Sequence, residues 1–121
     1  MTPEKIRHYV TLKHTTPIDV HWDFMLEDGD HLSTWRINIP PTELKSTPAQ
    51  AEKIFNHDLK FLTYQGPVKN NTGQVTTEDK GTYKIIEQTE ENIQIEIEAE
   101  TLNGTYNITW QSEYNWLISP K

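Results

Sequence analysis

The chain has 121 residues, enough for one hydrophobic core and too few for two, so a single domain over residues 1–121 is expected. Hydrophobic residues make up 34 % and aromatics 10 %, with four tryptophans, which points to a small core rich in rings. Eleven basic against 18 acidic side chains give a charge of −7, which excludes a protein that coats nucleic acid through a basic surface and confines any nucleic-acid role to a local site.

The first segment, Ile6 to Leu12, is short and carries β-branched residues, and it reads as a strand. Val20 to Leu26 alternates His21, Asp23 and Met25 on one face with Trp22, Phe24 and Leu26 on the other, a strand with something to do on both sides. Asp28-Gly29-Asp30 is a turn signal that joins it as a hairpin to Leu32–Ile39, which Pro40 and Pro41 stop. Thr42 to Phe55 is predicted as the single short helix, with Ser46-Thr47 as cap and Pro48 at its start. Leu59 to Tyr64 reads as a strand, Lys69 to Gly73 as a loop and Asp79-Lys80-Gly81 as a turn initiated by Asp79.

In the last third, Ile93, Ile95, Ile97 and Ala99 alternate with Gln94, Glu96, Glu98 and Glu100 in strict period two, so the acidic face is expected in solvent. Asn103-Gly104 is the preferred pair for a type I′ turn, leading to Tyr106, Ile108 and Trp110 and a last strand through Trp116 to Ile118. The fold class expected is mainly β, a compact antiparallel barrel of about eight strands with one short helix. Trp22, Trp35, Trp110 and Trp116 are expected in the core, His8 and His31 at the surface.

Without cysteine the chain has no disulfide, thiolate site or cysteine nucleophile, and metal ligands must be His, Asp or Glu. Met1 to Val10 has no apolar run behind its basic residues, and nowhere are there about 18 consecutive apolar residues, so a soluble, cytoplasmic protein with no membrane contact is expected. The densest group of possible ligands is His14, Asp19, His21 and Asp23. In a strand His21 and Asp23 point to one face about 6–7 Å apart along the chain and can reach one ion, with His14 arriving from the preceding strand end. Two imidazoles and a carboxylate leave positions open on a divalent metal for water or substrate. On spacing alone, solvent-facing polar residues of a half-buried strand account for the same pattern. An even-length loop at Asp28–Asp30 would bring Arg36 across from His21 or Asp23 on that face, as a phosphate-binding cation; a surface arginine is the plainer reading.

HTTPIDVHWDFMLEDG, from His14 to Gly29, resembles the signature of the 3′-phosphoesterase domain of bacterial DNA ligase D, which also names the DNA polymerase/ligase N-terminal domain family. In order, LSTWRINIPP, NHDLKFLTYQGPV, GQVTTEDKGTYK, LNGTYNI and NWLI are similar to later segments of the same domain, covering Tyr9 to Ile118. The resemblance implies a β-barrel with a concave face for the site and a free-standing, atypical member without adjoining polymerase or ligase. It implies a manganese-dependent enzyme of DNA repair that removes a 3′-phosphate or 3′-ribonucleotide, with metal ligands His14, His21 and Asp23 and with His57 as the catalytic, phosphate-contacting histidine. Nucleic-acid 3′ ends, and a separate ligase or repair polymerase, are the implied partners of a monomer. The chain departs from the pattern at Met25, where an arginine is expected, at Phe61 for a tyrosine, at Phe55 for an acid, and by one residue more between His14 and His21. Two other readings follow from those departures and the charge: a non-catalytic module that binds metal and nucleic-acid ends, and a phosphoesterase acting on another small phosphorylated substrate.

Overall fold

The computed structural model describes residues 6–68 and 73–121; most of the expected Lys69–Gly73 loop lies outside the described residues. Among the described residues nine strands follow one another: β1 (Arg7–Thr15), β2 (Val20–Asp28), β3 (His31–Ile37), β4 (Ala49–Asp58), β5 (Gly66–Pro67), β6 (Gln74–Gln88), β7 (Asn92–Ala99), β8 (Asn103–Ser112) and β9 (Asn115–Pro120). Neighbours pair antiparallel in the order β1-β2-β3-β4-β9-β8-β7-β6, and β6 pairs with β1 to close an eight-stranded barrel, with β5 adding two residues against the start of β6. The architecture is the mainly β barrel that the alternating pattern predicts.

Two apolar clusters divide the strands by face. One draws side chains from every barrel strand, among them Tyr9, Phe24, Trp35, Ile97, Ile108 and Ile118, and is therefore the interior. Its rings touch in series, Tyr9 to Phe24 at 5.1 Å, Phe24 to Trp35 at 6.4 Å and Trp35 to Trp116 at 5.9 Å between centroids. The second cluster, Val10, Leu12, Met25, Leu32 and Val75, lies on the outer face of β1, β2, β3 and β6 and is covered by Leu59, Phe61, Leu62, Tyr64 and Val68. Thus β2 is buried on both faces, which is why its sequence carries large apolar residues in both phases.

Four local expectations are overturned. The predicted helix over Thr42–Phe55 shrinks to α1 (Pro41–Leu44), with Pro41 in its first turn, and Ala49 onward is β4. Ala49 and Ala51 are buried while Gln50 and Glu52 are exposed, a period of two, and partners on both sides, β3 and β9, override the helix preference of Ala, Gln, Glu and Lys. Leu59–Leu62 is a 3-10 helix instead of a strand, because Asp58 accepts from the Lys60 N–H (3.2 Å) and caps it. Asp79-Lys80-Gly81 is no turn but the middle of β6. Asp79 is buried at 1 % exposure and accepts from the amides of Thr101 (2.7 Å) and Leu102 (3.0 Å) and from the Tyr9 hydroxyl (3.1 Å). It thereby organises the reversal at Ala99–Leu102, closed by the Leu102 carbonyl on the Ala99 amide, so that Asn103-Gly104 opens β8 rather than forming the turn.

Trp110 is the tryptophan outside the expected core: it is 39 % exposed, and its indole N–H donates to the Glu113 carbonyl (2.9 Å). His8 is exposed as expected, whereas His31 is half-buried beside Asp28 and Asp30. Among the described residues no helix is long and apolar enough to cross a membrane.

Gly81 has a structural reason of its own. A Cβ there would lie 2.0 Å from the Glu98 carbonyl oxygen and 2.5 Å from Ala99 Cα, both backbone atoms of the neighbouring strand. Gly81→Ala is expected to destabilise the barrel by about 2–3 kcal/mol, a fall of roughly 10 °C in a circular-dichroism melt, because strand separation has to open against intact ladders on either side. An unchanged midpoint would mean that β6 and β7 do not approach this closely in solution.

Candidate metal centre

The β1–β2 register sets the centre. His14 is the direct cross-strand partner of His21, and Asp23 follows on the same outer face of β2. Between them the chain turns at Thr16–Asp19, where the Thr16 amide donates to the Asp19 carbonyl (2.7 Å). The additional residue between the two histidines is absorbed here while their rings stay edge to face, 4.6 Å apart.

One nitrogen of each histidine and one Asp23 oxygen all lie within 4.8 Å of one another. His21 Nε2 is 3.7 Å from Asp23 Oδ1 and His14 Nδ1 is 4.0 Å from Asp23 Oδ2. Atoms that each ligate one small divalent ion at about 2.0–2.2 Å fall within roughly 4.4 Å of each other, so these pairs fit. Both His21 Nε2 and Asp23 Oδ1 are buried without a hydrogen-bond partner among the described residues. Buried polar atoms are nearly always satisfied, and these two face each other, with Arg36 Nε as a third such atom 3.7 Å from Asp23 Oδ1, an arrangement that a cation shared by His21 and Asp23 would satisfy. On the far side of its ring, His21 Nδ1 approaches Asp19 Oδ2 at 3.4 Å, a carboxylate that holds the ring with Nε2 turned inward. Among the described residues, His14, His21 and Asp23 form the group able to hold a metal.

Arg36 sits opposite Asp23 in the two-residue β2–β3 hairpin, with its Nε 3.7 Å from Asp23 Oδ1. A cation therefore stands beside the centre from the neighbouring strand. Met25, in the position where an arginine was expected, is fully buried in the outer apolar cluster under the 3-10 helix. Its thioether packs under this cover without charge, whereas a guanidinium there would have to be desolvated or turned into the cavity that Met25 also lines.

His57 reaches the same face through a bulge. Thr34 pairs with Ile54 and Leu32 with His57, so Phe55 and Asn56 together oppose Ser33. The bulge reverses the alternation of β4, and His57 points outward with Ile54 although three positions separate them. Its Nδ1–H donates to the Phe55 carbonyl (3.1 Å), which directs Nε2 away from the backbone. Phe61 meets the ring edge-on at 5.6 Å, keeping an aromatic contact where a tyrosine was expected. His14, Asp23 and Arg36 on the barrel side and Phe55, His57 and Phe61 on the other bound one cavity of about 650 Å³. The concavity is made by the cover and not by the sheet alone.

Burial lowers the pKa of His21 and of His57 below the ordinary histidine value, against the opposing pull of the Asp23 carboxylate. Both are therefore neutral at pH 7, the state a ligand needs. A histidine whose folded pKa is depressed contributes stability that is fully present above the unfolded value, about 6.5, and is lost as pH falls toward the folded value. The urea midpoint of the metal-free chain is accordingly expected to stay level from pH 8 to 7 and to drop below about pH 6.5, with a smaller drop in His57→Gln. An acid limb identical in that variant would remove His57 from the effect.

The model of the DNA Ligase D 3'-phosphoesterase domain matches residues 12–110, a span that holds all three candidate ligands, Arg36, His57 and the whole cavity lining. No curated protein matches the chain. The family is metal-dependent, in agreement with a His/Asp cluster in which His21 Nε2 and Asp23 Oδ1 make no hydrogen bond among the described residues. By the extent of that match, more than three quarters of its length, the chain belongs to the DNA ligase D 3′-phosphoesterase domain family.

Proposed function

We propose that this chain is a Mn²⁺-dependent phosphoesterase that processes 3′ ends in DNA repair, removing a 3′-phosphate or a 3′-terminal ribonucleotide to leave a hydroxyl. The observation that carries this reading is the pair of buried atoms without hydrogen-bond partners among the described residues, His21 Nε2 and Asp23 Oδ1, together with the cavity that Asp23 and His14 line in common with His57. Family membership supports the phosphoesterase role in general; the metal preference and the activity of this chain are the added claims.

His14, His21 and Asp23 would hold the ion, which when bound supplies Lewis-acid polarisation of a phosphate oxygen. Asp19 fixes the His21 ring, so the ligand set is preorganised on two paired strands. Arg36, half-exposed at the cavity wall, pairs with the phosphate from the side opposite the cover. His57, neutral in the free chain, takes up a proton at Nε2 beside the bound phosphate, whose negative charge favours the imidazolium, hydrogen-bonds the phosphate through Nε2–H and gives that proton to the departing O3′ as the P–O3′ bond breaks and a water oxygen joins phosphorus. The 3′-hydroxyl formed is the end that a ligase or repair polymerase extends or seals.

The charge of −7 favours a second reading, a phosphoesterase for a small phosphorylated compound that needs no long-range attraction to nucleic acid. One experiment addresses both. Mn²⁺ is titrated while the histidine resonances are followed, then a 3′-phosphorylated oligonucleotide or a panel of small phosphomonoesters is added and released phosphate is measured. Selective broadening of His14 and His21, with phosphate release from the oligonucleotide, is the expected result. Broadening without release from any substrate would turn the reading to an end-binding module, release from small esters alone would favour the second reading, and no selective broadening would overturn the metal centre.

A further inference from the structure

The cavity is too large for a phosphate alone. Its volume of about 650 Å³ falls within the range of about 300–1,000 Å³ typical of sites that enclose a whole small molecule. Beyond the metal cluster its wall is a continuous aromatic series: Phe55 lies parallel to His57 (4.7 Å between centroids, 8° between planes), His57 meets Phe61, and Phe61 meets Tyr64 at 5.7 Å. Phe55 is 73 % exposed and belongs to neither apolar cluster, since the bulge that aims His57 also lifts Phe55 out of the strand alternation. One face of its ring is covered by the imidazole and the rest stands in the cavity mouth.

The same cavity is poor in positive charge. Arg36 and Lys60 are the basic side chains among its lining residues, and Lys60 Nζ rests over the rings of Phe61 (5.4 Å) and Tyr64 (5.9 Å). With a net charge of −7 around it, a nucleic-acid end gains little here from neutralising phosphates. Beyond the one terminal phosphate, affinity has to come from contacts that do not depend on charge, and stacking of a base on an aromatic ring is such a contact, tolerant of base identity.

We infer that Phe55, backed by His57, is the stacking platform for the terminal nucleobase of the 3′ end, so that the site takes a nucleotide and discriminates against small phosphomonoesters that carry no ring. The inference rests on the proposed 3′-end reading and assigns the other half of the substrate. A phosphate held by His57 and Arg36 has its nucleoside one ester bond away, and the exposed ring of Phe55 is the flat surface adjoining His57. Phe55 is a specificity-determining residue in this scheme and takes no part in bond breaking.

The test uses the full chain with Mn²⁺ and two 3′-phosphorylated oligonucleotides, one with 2-aminopurine as the terminal base and one whose terminal nucleoside is abasic. Native protein is expected to quench the 2-aminopurine emission and to bind this oligonucleotide about tenfold or more tightly than the abasic one, the size of one base–aromatic stack. Phe55→Ala is expected to lose both the quenching and the preference, and Phe55→Trp to restore them; at 73 % exposure neither substitution disturbs the core. Equal binding of the two oligonucleotides by native protein, or quenching that persists in Phe55→Ala, would overturn the platform while leaving the 3′-end reading intact. Failure to bind either oligonucleotide would overturn the 3′-end reading and the platform with it.

Discussion

Asp23→Asn is expected to weaken Mn²⁺ binding by more than about 100-fold and to abolish phosphate release, while leaving the metal-free barrel as stable as before. Loss of an outer-sphere partner alone typically lowers metal affinity by about 10- to 100-fold, and Asp23 supplies a ligand atom itself. The stability half of the expectation comes from the geometry around the carboxylate. Asp23 is 2 % exposed, yet His21 Nε2, Arg36 Nε and His14 Nδ1 stand 3.7, 3.7 and 4.0 Å from its oxygens, beyond hydrogen-bond distance. Desolvation of a buried carboxylate in such company offsets most of its Coulomb attraction, so neutralising it changes the fold little. A thermal melt separates the two effects. At a Mn²⁺ concentration of 100 times the dissociation constant, native protein gains about 2.7 kcal/mol, roughly 10 °C for a domain of this size, and Asp23→Asn gains nothing. A variant that unfolds without metal would make Asp23 a structural residue, and one that keeps the full metal-induced shift would remove it from the ligand set.

The same carboxylate shows what the sequence makes legible. Strict alternation over Val20–Leu26 places His21 and Asp23 on one face whatever the partners of the strand, and the two-residue turn at Gly29-Asp30 carries that certainty across to Arg36. Period two in Ile93–Ala99 is equally local, and β7 appears where it is expected. The errors fall where a distant segment decides. Ala49–Lys53 has helix-forming residues, and only the edges offered by β3 and β9 make it a strand. Asp79 has the composition of a turn residue, and it serves one, but the turn lies some twenty positions further on at Ala99–Leu102. The cover over β1–β3 was not visible either, because Leu59, Phe61 and Leu62 suit a strand and a 3-10 helix alike until the outer apolar face of the barrel is known. That cover in turn explains Met25. Its side chain looked like a loss at the site and is instead the floor on which Phe61 and its neighbours sit.

His57 could be placed at the site only by resemblance, since a bulge leaves no reliable mark in a single sequence. Its substitution is the second large effect expected. His57→Gln is predicted to lower kcat by about 10²- to 10⁴-fold, the usual contribution of a positioned general acid, with Mn²⁺ binding and the metal-induced thermal shift unchanged. Glutamine keeps a polar group able to hydrogen-bond the phosphate but cannot hand over a proton, so binding and proton transfer are read separately. Arg36→Ala gives the opposite split: a guanidinium that grips the phosphate in the ground state raises KM when removed and leaves kcat nearly intact. The structure ties this contrast to two different supports. Arg36 stands on β3 in regular register with Asp23, whereas His57 depends on the bulge at Phe55–Asn56 and on its Nδ1–H bond to the Phe55 carbonyl. If His57→Gln weakens Mn²⁺ binding as strongly as Asp23→Asn, His57 belongs to the ligand set. If its kcat equals that of native protein, the proton reaches O3′ from water, and the bulge serves only to raise the Phe55 ring.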